Sequence, residues 1–131
     1  MDKILGLLIE NSEIGITKTF KVSERLPEIT IRPISNKELG ELRNRAITID
    51  KNGKNPIVDV SKFQAKAVAL CTLNPNFNDA EAVKKAKVMS GSELVNKILL
   101  AGEIELIYNE INKISGFGLE ISEEIEDTKK L

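Results

Sequence analysis

Few residues in this chain have the type and spacing that chemistry needs. There is no histidine, so Ser–His and Cys–His nucleophile pairs are excluded, as are the usual zinc ligand sets. The single cysteine, Cys71, sits in the most apolar segment, "AKAVALCTL". A reactive thiolate needs an electropositive and partly open setting, so Cys71 reads as a small buried hydrophobe. Carboxylates are plentiful, as in Glu103, Glu105 and Glu110, or Glu123, Glu124 and Glu126. A pair of them could act as acid and base in hydrolysis. No pair is singled out by an apolar setting, and the reading is a solvated helix face.

Three further patterns fall short. "DKNGKNP" from Asp50 has its glycine fourth, where a calcium loop needs it sixth, and the twelfth position is Ser61 rather than glutamate. "SGFG" at Ser115–Gly118 lacks the length of a phosphate loop and its strand-to-helix setting. Lys84, Lys85 and Lys87 form one basic cluster, and Arg43 with Arg45 another. Acidic residues are interspersed and aromatics are sparse, so both read as solvated surface rather than a nucleic-acid face. The sequence therefore implies no catalytic residue, metal or cofactor.

The elements that would hold such groups follow from periodicity. From Ile14 to Ile34 the period is mostly two: Ile14, Ile16, Phe20 and Val22 share a face that Lys18 interrupts, and Ile29 and Ile31 alternate with polar residues. This predicts a β-hairpin with Lys18 at a strand end or sheet edge and Pro33 closing the second strand. Ser35 with Glu38 is a capping-box pattern, and Leu39, Leu42, Ala46 and Ile49 follow on one face. A helix over residues ~36–48 is expected. Residues 50–56 read as a loop. The next helix, apolar on nearly every side from Ala65 to Leu73, is central and stopped by Asn74-Pro75. Asn78 with Glu81 and Ser90 with Glu93 open two short helices. Gly102 marks a break, and Ile104, Ile107, Tyr108, Ile111 and Ile114 form the clearest amphipathic helix, with Gly116 as a left-handed C-cap. The expected fold is α+β and mostly α: one domain, with an N-terminal β-hairpin packed on four to five helices over residues 1–118. Residues 119–131 are expected to be an acidic, flexible tail.

With 131 residues and a formal net charge of −1, whole-molecule charge gives no attraction to nucleic acid or anionic lipid. One cysteine suits a reducing compartment, no apolar run approaches the ~20 residues of a membrane span, and "MDKILGLLIENSE" lacks the features of a signal peptide. A cytoplasmic protein is expected. Apolar residues remain that the core does not obviously need. "ILGLLI", Ile4–Ile9, is too short to be a robust helix and either caps the core or forms a contact surface. The stripe of the last helix poses the same choice.

Several segments, in this order, carry a resemblance: "ITIRPISNKELGELRNRA" (Ile29–Ala46), the helix ending in "LNPNFNDAE", then "SGSELVNKILLAGE" and "INKISGF". Together they resemble the phage tail assembly chaperones of the XkdN-like family, found in phages and prophages of Gram-positive bacteria. The resemblance implies a non-catalytic protein of the bacterial host cytoplasm. It implies binding to the tape measure protein during tail morphogenesis, self-association, and displacement by the growing tail tube protein. The contacts are expected on Ile4, Leu5, Leu7, Leu8 and Ile9, and on Ile104, Ile107, Tyr108 and Ile111. Two readings stand beside it. One is a completion or adaptor subunit that stays in the virion. The other is a small nucleic-acid-binding regulator, which the balanced charge disfavours.

Overall fold

The structure, a computed structural model, describes residues 2–49 and 51–117, apart from the side chains at positions 13 and 14. The expected acidic tail lies outside the described residues. The first element is a helix, α1 (Lys3–Ile14), where the apolar run Ile4–Ile9 by itself is too short to be a robust helix. Two things extend it. Asp2 caps it, its carboxylate accepting the Ile4 N–H at 2.7 Å, and the polar residues after Ile9 continue the helix to Ile14. That takes Ile14 out of the alternating segment.

The expected hairpin is present and short. β1 (Lys18–Phe20) pairs antiparallel with β2 (Ile29–Ile31), Thr19 opposite Thr30, and the two threonine hydroxyls lie 2.8 Å apart. β2 turns Ile29 and Ile31 inward, both buried. Lys18 lies on the edge strand as expected, with its ammonium paired to Glu110 of the last helix.

α2 (Asn36–Arg45) opens on the capping box read from the sequence. Ser35 Oγ accepts the Glu38 N–H at 3.2 Å, and the Glu38 carboxylate accepts the Ser35 N–H at 3.1 Å. The helix stops at Arg45, three residues before the expected end, because Ile47–Ile49 forms β3 and pairs with β4 (Pro56–Val58). Strands of three residues show no period, so in sequence Ile47–Ile49 reads as the end of a helix and Pro56 as the end of a loop. α3 (Val60–Cys71) is the central helix. Ala65, Ala67, Val68, Ala69 and Cys71 are buried, and these small side chains let neighbouring helices approach closely. α3 ends two residues sooner than expected. Thr72–Asn74 becomes β5, which pairs with β2 to complete a three-stranded sheet in the order β1-β2-β5.

α4 (Ala80–Lys85) is capped by Asp79. Asn78, the expected cap, instead donates its Nδ2 to the Ala69 carbonyl at 3.0 Å, fastening this turn to α3. α5 (Gly91–Ile98) begins at Ser90, which accepts the Glu93 N–H at 3.3 Å. α6 (Ala101–Ile114) follows at once. The break lies at Leu99–Leu100, and Gly102 falls in the first turn of α6. Its end is as expected: Gly116 has φ +88°, Gly116 N–H reaches the Lys113 carbonyl at 3.2 Å and Phe117 N–H the Asn112 carbonyl at 3.0 Å. That is a Schellman motif.

The core lies where α3 meets α5, α6 and the sheet. Ile31, Val68, Cys71, Val95, Ile107 and Ile111 are its largest fully buried side chains. Phe63 and Tyr108 meet edge to face, with ring centres 6.0 Å apart. Among the described residues there are six helices, one more than the upper expectation; the addition is α1.

Candidate partner surface

The nine residues proposed from sequence as partner contacts fall into two groups. Ile4, Leu5, Leu7, Leu8 and Ile9 all lie on α1 and are 50–68% exposed. None of them belongs to the core that the described residues form, nor to the partly buried side chains packed on it. At 3.6 residues per turn they sweep roughly 200° of the helix, about twice the ~100° stripe of a helix laid on its own core. Ile107 and Ile111 are fully buried in the core, while Ile104 and Tyr108 are half-buried against it. The α6 stripe is spent on folding, so Ile107 and Ile111 offer no area to a partner.

α6 presents a different side. Leu100 and Leu106 are exposed and, with Val22, Ser23, Arg25, Gly102 and Glu103, line an open hollow of about 490 Å³. Sequence periodicity missed this place, because its residues come from a loop and a helix start rather than from one stripe. Its floor is an ion pair. Glu103 is 6% exposed, yet every polar contact it needs is near. Arg25 Nε and Nη2 donate to it at 2.9 and 2.5 Å, Ser23 Oγ at 2.8 Å, and the Leu100 N–H at 2.7 Å. The Arg25 fork holds the Glu103 carboxyl down at about 2, against the opposing pull of burial. Arg25 Nη2 also donates to the Ile98 carbonyl at 2.9 Å. One guanidinium thus joins the end of α5 to the start of α6 and ties both to the loop after β1.

This corrects the view of α6 as a solvated acidic face. Glu105 is exposed, but Glu103 is buried and Glu110 half-buried. Glu110 is held below the usual carboxylate range, chiefly by its hydrogen bond from Lys18. A third pair works in the same way: Arg32 Nη1 and Nη2 grip Glu38 at 2.9 and 2.8 Å. That bidentate pair, more than any other cause, lowers the Glu38 carboxyl to about 2. It links β2 to the start of α2. These carboxylates serve as struts between elements.

Burial pushes the Cys71 thiol up to about 11, opposite to what a nucleophile requires. Among the described residues no group of three His, Cys, Asp or Glu could hold a metal ion, and no helix is long and apolar enough to cross a membrane. A cleft of about 220 Å³ with mixed walls lies between α2, α3 and the start of α5, with the self-satisfied Glu38 and Asn78 on its walls.

Among solved structures, the chain is similar to the crystal structure of the protein yqbn, with 19% identity over 79% of this chain and 87% of that one, and a TM-score of 0.63. At that identity the likeness speaks for the fold. No curated protein matches. Residues 5–129, nearly the whole chain, match the family described as phage XkdN-like tail assembly chaperone protein, TAC. The match takes in α1 from Leu5 onward as well as the folded body, and the chain belongs to the XkdN-like family of phage tail assembly chaperones.

Proposed function

We propose that this tail assembly chaperone binds the tape measure protein of its phage in the host cytoplasm, and that α1 is its principal contact. One observation carries the reading. A capped 12-residue helix holds five large apolar side chains at half exposure or more, none of them in the core that the described residues form. Exposed apolar patches of this kind mark interaction sites. The resemblance to the family implies the tape measure protein as partner, a long helical chain prone to aggregate. An amphipathic segment of such a partner fits helix-to-helix against α1. The hollow beside Leu100 and Leu106 is a second place for an apolar side chain.

Magnitudes favour a weak contact repeated many times. Burying the exposed part of five Leu and Ile side chains is worth about 5–8 kcal/mol in gross terms. Association costs roughly 4–15 kcal/mol in lost freedom. A single copy therefore barely holds, while many copies on one chain hold through their number. The tail tube protein can then displace them one at a time. The reading includes no catalytic step.

Co-expression with the tape measure protein of the same phage, followed by size-exclusion chromatography with light scattering, tests this. The expected result is a soluble complex containing many copies of the chaperone. A tape measure that precipitates as it does alone, with the chaperone eluting apart, contradicts it. Recovery of the chain from purified tails would instead favour a subunit retained in the virion.

A further inference from the structure

Of the asparagines in this chain, only Asn52 is followed by glycine. It lies in residues 51–55, within the link between β3 and β4. An Asn-Gly pair suits such a link, because glycine takes a positive φ without strain, and Gly53 sits at φ +70°. Asn52 and Gly53 are exposed among the described residues, and a Cβ built on Gly53 meets nothing within 4 Å. Among the described residues, the Gly53 N–H donates no hydrogen bond. The other asparagines are placed differently. Asn55 and Asn74 precede prolines, which have no N–H. Asn11, Asn44, Asn96, Asn109 and Asn112 lie inside helices, whose ladder engages the amide that follows. Asn78 is tied by its Nδ2 to the Ala69 carbonyl at 3.0 Å. Asn36 and Asn76 are followed by Lys37 and Phe77, whose side chains crowd the backbone nitrogen.

We propose that Asn52 is a site of spontaneous covalent modification, where the side-chain amide closes on the Gly53 nitrogen and reopens as an acid. The Gly53 N–H gives its proton to hydroxide or another base in solution, and the nitrogen attacks Asn52 Cγ. A bond forms from that nitrogen to Cγ, the Cγ–Nδ2 bond breaks, and Nδ2 takes up a proton and leaves as ammonia. The product is a cyclic imide. Water then adds to either of its carbonyl carbons. Opening at Cγ gives aspartate, and opening at the former backbone carbonyl gives isoaspartate, whose chain runs on through Cβ and Cγ. The balance is one water taken up and one ammonia released, with no change of oxidation state. The reacting atoms belong to adjacent residues, so the step needs only a backbone that can bring them together, and a glycine nitrogen is the least hindered. Lys51 and Lys54 flank the pair in sequence, and positive charge favours the anionic nitrogen from which the attack begins. Both products place a carboxylate between these lysines. Isoaspartate also lengthens the backbone in the link between two strands of three residues. A two-stranded ribbon is marginal in water, so the pairing of Thr48 with Ile57 weakens. The hairpin therefore changes with the age of the chain, whatever partner it meets.

The test incubates the purified chain in water enriched in heavy oxygen, at neutral and mildly alkaline pH. One sample is folded and one is unfolded in guanidinium chloride. Peptide mapping by mass spectrometry follows each asparagine with time. Acid should accumulate at position 52 ahead of every other asparagine, faster at the higher pH and at a similar rate in the folded and unfolded samples. Isoaspartate should appear beside aspartate, both carrying heavy oxygen. Asn52→Gln, which would have to close a larger ring, should stay unmodified at that position. In the isoaspartyl form the amides of residues 47–49 and 57–58 should exchange with deuterium faster than in fresh protein. Asn52→Gln should keep its original exchange after the same incubation. Another asparagine reacting first overturns the inference, as does aspartate without isoaspartate. So does a folded chain that reacts many times more slowly than the unfolded one, since the turn would then shield Asn52. Unchanged exchange in the isoaspartyl form overturns the effect on the hairpin.

Discussion

Replacing Ile107 by alanine and, separately, Leu8 by alanine distinguishes the two apolar stripes of this chain by their work. Ile107 is fully buried in α6, where that helix packs on α3. Removing its outer carbons forfeits their transfer energy and leaves a cavity that α3 and α5 only partly fill. For Ile→Ala at such a site the loss is about 2–5 kcal/mol. Leu8 is 58% exposed and outside the core. Its truncation removes little packing, and alanine favours the helix, so the change stays within about 0.5 kcal/mol. Urea unfolding followed by far-UV circular dichroism reads both. With a slope of about 1–3 kcal/mol per molar, Ile107→Ala should lower the midpoint by about 1–2 M, and Leu8→Ala should leave it nearly in place. Equal losses would refute the reasoning, since α1 would then be part of the stabilising core. A neutral Ile107→Ala would refute it from the other side.

Other outcomes follow from particular contacts. Glu38 and Glu103 titrate near 2 in the folded chain, below the ~4.3 of an unfolded glutamate. Their pairs therefore stabilise fully above about pH 4.3, and that stability fades as pH falls toward 2. Acid unfolding should steepen over this window, and Glu38→Gln with Glu103→Gln should flatten it in a pH series of urea midpoints. A Cβ at Gly91 would lie 2.0 Å from Asn78 Oδ1 and 3.0 Å from the Phe77 carbonyl. Gly91→Ala should cost about 1–3 kcal/mol, and adding Asn78→Ala should restore part of it; simple additivity in thermal melts would contradict the clash. Lys87 holds φ +61° in the turn after α4, where its N–H reaches the Lys84 carbonyl. Lys87→Gly should raise stability by about 1 kcal/mol. Cys71, buried and with its thiol raised to about 11, should resist thiol reagents until the chain is unfolded.

The sequence was most legible where a local rule and the fold agreed. The Ser35–Glu38 capping box, the apolar α3 and the Gly116 C-cap each appear where their residues announce them. It was least legible where pairing is non-local. β3, β4 and β5 are three residues each, too short for periodicity, and their hydrogen bonds come from partners 7 to about 40 residues away. Ile49 completes a helical stripe on paper but stands in a strand, because Pro56–Val58 offers it a ladder. The buried Glu103 was hidden for a related reason. Its partners Ser23 and Arg25 lie nearly 80 residues upstream, and no pattern within α6 distinguishes it from Glu105. Of the surface itself, sequence composition singled out Ile4–Ile9 without assigning it a helix. It grouped Ile107 and Ile111 with it because a core stripe and an interface stripe share one periodicity. Only burial separates them.

On the proposed function, α1 is the working surface of this tail assembly chaperone. Co-expressing the tape measure protein with either the wild type or the Leu7→Asp, Leu8→Asp double variant tests it most directly, with soluble tape measure as the readout. Both positions are exposed, so the variant should fold and unfold like the wild type. The account predicts that the wild type keeps the tape measure in solution and the folded variant does not. A variant that keeps it soluble equally well would contradict the account and move the contact off α1.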